Sequence, residues 1–138
     1  MARKRKAPYR YDPDVGPDPE AWLALDELER IERVRRYHRR ARIELPNEQL
    51  HAILHATVEA QAADGDETPV AETLERLMDE GLTRHDAIHA VASVLIGHIH
   101  NLMMATPSEG ADPNIAYFRE VRELTAQKWY TMYEEGED

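Results

Sequence analysis

Four of the chain's seven histidines form two pairs, His51-Ala52-Ile53-Leu54-His55 and His85-Asp86-Ala87-Ile88-His89, each spaced at i, i+4. On a helix such positions have Cβ atoms about 6 Å apart and point the same way, so two imidazoles placed there can chelate one divalent ion. Glu59 continues the first row. At about 1.5 Å of rise per residue it stands roughly 12 Å from His51, too far to share a simple mononuclear site with it. It could bind a second ion, or orient His55 from outside the coordination sphere. The second pentad, His-Asp-x-x-His, differs by one methylene from the zincin pattern His-Glu-x-x-His, in which the Glu activates metal-bound water. Asp86 reaches less far, and no third ligand or substrate cleft is evident for a peptidase. Glu48-x-x-His51 and Asp86-x-x-His89 share the form of the Glu-x-x-His repeats of di-iron bundles, without the further Glu-bearing helices those need.

There is no Cys, which leaves His, Asp and Glu as the only strong ligands. The expected ligand set is therefore His51, His55, Glu59, His85, Asp86 and His89 around one or two divalent ions, zinc or iron by donor type. Two other readings compete. The histidines pack and hydrogen-bond inside a non-catalytic protein–protein interaction module, or, more weakly supported, they serve a metal-dependent hydrolase. His38, in a basic run, and His98 and His100, on different helix faces, are expected to be structural.

The elements that must position these residues are helices. Thr83 is a good N-cap, Asp86 stands at the N3 position of a capping box, and Gly81 closes the helix before, so the central helix should run over 84–104. Its apolar face is Ile88, Val91, Ala92, Leu95, Ile99 and Leu102, with His85, His89 and Ile96 along the edge. A helix over 47–63 follows the break at Leu45-Pro46-Asn47, with Leu50, Ile53, Leu54, Thr57 and Val58 as its core face and His51, His55 and Glu59 beside it. Because each pair borders its own apolar stripe, burying both stripes together should bring all four histidines onto one seam. Further helices are predicted over 19–42, from Asp18-Pro19, over 69–80, from Thr68-Pro69, and over 113–133, from Asp112-Pro113. In the first, Leu25, Leu28, Ile31, Val34 and Tyr37 recur every third residue and drift around the axis. Apolar side chains on so many faces predict a homo-oligomer formed through this helix and the arm before it.

Three parts of the chain resemble a family of small bacterial all-helical proteins of no established function. They are His51-x-x-x-His55-x-x-x-Glu59-x-Gln61, Thr73-Leu74-Glu75-Arg76-Leu77, and Gly81-Leu82-x-Arg84-His85-Asp86-Ala87-Ile88-His89-Ala90. The resemblance covers about residues 47–103; the family usually has Glu where this chain has Asp86. It implies that His51, His55, Glu59, Arg84, His85, Asp86 and His89 belong to one pattern, and it carries over no activity.

With no strand pattern and no repeat, 138 residues make one small all-α domain, an irregular or orthogonal bundle of about five helices. Residues 1–17, basic at first and then rich in Pro and Gly, are expected to be a flexible arm on a helical domain over 18–138 with its core in 43–133. Residues 1–42 hold 12 Lys and Arg against 8 Asp and Glu, whereas 43–138 hold 5 against 19. A domain at −10 overall repels polyanions, which disfavours nucleic acid as a partner. No run approaches a membrane span and no apolar segment follows the basic start, so a cytoplasmic protein without membrane contact is expected.

Overall fold

A computed structural model describes residues 10–43, 47–104 and 112–136, and among these residues it is all helical. The helices are α1 (Pro19–Ala24), α2 (Glu27–Arg40), α3 (Glu48–Ala63), α4 (Val70–Asp79), α5 (Arg84–Met104), α6 (Pro113–Glu123) and α7 (Ala126–Gly136), with a 3₁₀ turn at Gly65–Glu67. The basic cluster at the start and the break at Leu45-Pro46 lie outside the described residues.

Two predicted helices are each broken in two. Over 19–42 the break falls at Leu25, which is extended (ψ 150°), because Asp26 acts as a second N-cap, accepting from the Glu29 amide at 2.8 Å. Arg30 donates to the Trp22 and Leu23 carbonyls and satisfies the end of α1. Over 113–133 the break falls at Leu124 (ψ 139°), where Thr125 Oγ1 accepts from the Lys128 amide and Glu80 accepts from that of Ala126. The expected caps Asp18, Asn47, Thr83 and Asp112 each accept from a backbone amide two or three residues on.

α3 is shared by two apolar cores. One gathers Val58, Leu74, Leu77, Ile88, Val91, Tyr117, Val121 and Trp129 from α3 to α7. The other gathers Tyr11, Trp22, Ile31, Val34, Ala52 and Ala56 from the N-terminal segment, α1, α2 and α3. With partners on both sides, α3 buries Ala52, His55, Ala56, Val58 and Glu59, whereas Leu50, assigned to its core face by periodicity, is exposed. The fully buried row therefore contains the very His55 and Glu59 that periodicity puts at the margin.

Residues 10–17, within the expected flexible arm, lie on the body. Tyr11 is 1% exposed, Pro13 O accepts from Arg84 at 2.9 Å, and Asp14 Oδ1 accepts from the His85 amide at 3.1 Å. Gly16, at φ +84°, lets the chain pass against Arg84, whose Cζ would stand 2.6 Å from an added Cβ. Of the apolar residues in the first long segment, Trp22, Ile31 and Val34 are covered by the chain itself, and Leu28 is 78% exposed. Contrary to the expectation that no run approaches a membrane span, α5 is long and apolar enough by length and composition. Its N-terminal half is packed in the bundle, with Ala87, Ile88, Ala90, Val91 and Val94 buried; Leu102, Met103 and Met104 are exposed.

Candidate metal centre

Where α2, α3 and α5 meet, five imidazoles face one another. The four expected histidines are there: ring centroids are 4.3 Å apart for His85 and His89, 5.0 Å for His51 and His89, and 5.3 Å for His55 and His85. The fifth is His38 of α2, 1% exposed, at 4.8 Å from His51 and 5.5 Å from His55. The expected ligand set did not include it; it joins the cluster because α2 packs against α3. His98 instead bonds Glu120 at 2.6 Å on the surface, and His100 is exposed.

Two groups of three can each hold a metal ion: His38, His55 and His85, and His51, His55 and His89. The ligand atoms within each group lie within 4.8 Å of one another. Around a tetrahedral zinc with Zn–N of about 2.0 Å, ligand nitrogens stand roughly 3.3 Å apart, so small ring rotations bring either group onto an ion. His55 belongs to both.

Burial and hydrogen bonding fit such an ion. Buried ring nitrogens without a hydrogen-bond partner among the described residues are His38 Nδ1 and Nε2, His51 Nε2, His55 Nδ1, His85 Nε2 and His89 Nε2. At about 1–3 kcal/mol for each unsatisfied buried polar atom, six would cost on the order of 10 kcal/mol, comparable to the whole stability of a small domain. All five rings are shifted towards the neutral, ligating form. Burial, reinforced by repulsion from the neighbouring imidazoles, pushes His38 down to about 4 and His89 to about 3, and lowers His55 well below 6.5. Burial likewise lowers His51, and lowers His85 against the opposing pull of Asp14 and Asp86.

Neither carboxylate of the expected ligand set belongs to the two groups. Asp86 stands in the first turn of α5, where its amide donates to Thr83. Glu59, 1% exposed, receives Arg84 through both oxygens at 2.8 Å and a third bond from the Tyr11 hydroxyl. Tyr11 Oη also lies 2.9 Å from His55 Nε2. A bidentate guanidinium calls for a carboxylate, which only accepts, so the single phenolic proton goes to Glu59 and Tyr11 Oη must accept from His55 Nε2–H. That tautomer leaves the lone pair on Nδ1, the atom without a partner in the cluster. Glu59 is thus linked to His55 through Tyr11. Sequence reasoning missed His38, Tyr11 and Asp14. The one signal for Tyr11 was its aromatic side chain, with Tyr9, in a segment otherwise rich in Pro, Gly and charged residues; helical spacing offered none for His38.

Compared with known proteins, the chain matches no family model, no curated protein and no solved structure.

Proposed function

We propose that this protein binds a transition-metal ion through its histidine cluster and that the ion is zinc. The observation that carries the reading is the meeting of five imidazoles from α2, α3 and α5, each with at least one buried ring nitrogen that has no hydrogen-bond partner among the described residues. Structural histidines would be expected to spend those nitrogens on carbonyls, hydroxyls or carboxylates. The donor set is all imidazole, which suits zinc, copper, nickel and iron; three-histidine sites are a known zinc arrangement, whereas non-haem iron usually takes a carboxylate as well. Around the ion, Tyr11, Glu59 and Arg84 would set the tautomer of His55, as carboxylates behind metal-bound histidines commonly do. An ion held by either group would tie α3 to α5.

Elemental analysis of protein purified without an affinity tag tests this, together with melting curves before and after chelation. Zinc in stoichiometric amount is expected. Metal at 100 times its dissociation constant adds about 2.7 kcal/mol of stability, so chelator should lower Tm by several degrees. Protein that carries no metal, takes up none on incubation and melts identically with chelator would return the histidines to the core of an interaction module.

A further inference from the structure

The two histidine groups differ in what lies around them. His38 and His55 are buried, and the group they make with His85 is walled by the rings of Tyr11 and Tyr37. His51 and His89, by contrast, line the floor of an open cleft of about 320 Å³, whose other walls are Leu54, Ala92, Ser93, Ile96 and Trp129. None of these carries a charge. Ser93 donates its hydroxyl to the His89 carbonyl, which turns its polarity back into α5.

We propose that this cleft is a binding site for a small ligand with an apolar body and one metal-binding head, which completes the coordination of an ion held by His51, His55 and His89. This rests on the metal reading above and extends it. Three protein ligands with a remaining position open to a cavity is the arrangement of zinc sites that take water or substrate; a closed, fully protein-ligated sphere is that of structural ones. The walls choose the rest of the ligand. A charged periphery would lose water against Leu54, Ile96 and Trp129 with no partner to replace it, whereas an alkyl or aryl group buries apolar surface there.

The test uses the full chain loaded with cobalt(II), whose visible absorption reports changes in coordination, titrated with linear alkyl hydroxamates of increasing length. The spectrum should change, and affinity should rise about threefold to fourfold per methylene, the equivalent of about 0.8 kcal/mol each, until the cleft is filled. Ile96→Trp should flatten that dependence while the cobalt content of the same sample is retained. Cobalt that binds but whose spectrum ignores every hydroxamate would overturn the cleft proposal and leave the metal reading standing. So would a spectral response of equal affinity at all chain lengths, which removes the apolar walls from recognition. Failure to bind cobalt at all would overturn both.

Discussion

Glu59→Gln tests the chain of hydrogen bonds that ends on the metal site. The parent carboxylate accepts twice from Arg84 and once from Tyr11 at a position 1% exposed. Removing the charge leaves Arg84, whose side chain is 15% exposed, without its counter-ion. Breaking a buried pair costs about 3–5 kcal/mol, and partial exposure of the guanidinium points to the lower end, a loss that most small domains survive. The second effect is more specific. Arg84 Nη1 and Tyr11 share Oε2, so a carboxamide whose nitrogen takes that position, with its oxygen kept on Arg84 Nη2, presents N–H to Tyr11 and redirects the phenolic proton to His55 Nε2. The His55 proton must then sit on Nδ1, the nitrogen that faces the other rings, and His55 ceases to be a ligand. Loss of such an outer partner lowers metal affinity about 10- to 100-fold. Denaturant titration of metal-free protein, a competition titration for zinc, and nitrogen-15 NMR of the His55 ring measure the three consequences. Tyr11→Phe serves as the milder companion: it should cost about 1–3 kcal/mol and weaken zinc without unpairing Arg84. If Glu59→Gln folds, keeps zinc affinity within about twofold where tenfold is expected, and retains the proton on Nε2, the relay is refuted.

Stability of the metal-free protein should depend on pH through the buried imidazoles. His38 is held at about 4, below its ordinary 6.5, so the unfolded chain takes up the proton first. Its contribution is complete above pH 6.5 and is lost as pH falls towards 4, by about 3 kcal/mol at 1.36 kcal/mol per pH unit. His89 and His55 shift in the same direction and deepen the loss. Denaturation curves at pH 7.5, 6 and 5 that coincide would contradict this. His55→Ala, which removes the ring common to both groups, should weaken zinc binding measurably in a competition titration, whereas His98→Ala, which removes a surface contact to Glu120, should leave it unchanged; equal behaviour of the two would take His55 out of the site. Gly16→Ala places a side chain at φ +84° and against Arg84, so a cost of about 1–2 kcal/mol is expected, visible as a fall of several degrees in Tm; an unaltered melting curve would show that the N-terminal segment does not dock as described.

Much of this protein is readable from local signals. Helical class, the starts of four helices at Asp18, Asn47, Thr83 and Asp112, and the extent of α5 follow from capping side chains and Pro or Gly stops, which act within one turn. The two i, i+4 histidine pairs are likewise local, because one helical turn alone makes them neighbours. The breaks at Leu25 and Leu124 were harder to read, since apolar spacing continues across both and only weak caps, Asp26 and Thr125, mark the new starts. What tertiary structure alone decided is which side of α3 faces inward. A helix covered on one face buries its most apolar stripe, but α3 is covered on two, and the second cover, from the N-terminal segment and α2, closes over His55 and Glu59. That packing brings His38 to the cluster from outside either pair. It also places Tyr11, 44 residues from His55 in sequence, between that ring and Glu59. Contacts across such separations have no period to detect, so a single sequence presents the histidines of two helices and conceals the third helix and the hydrogen bonds behind them.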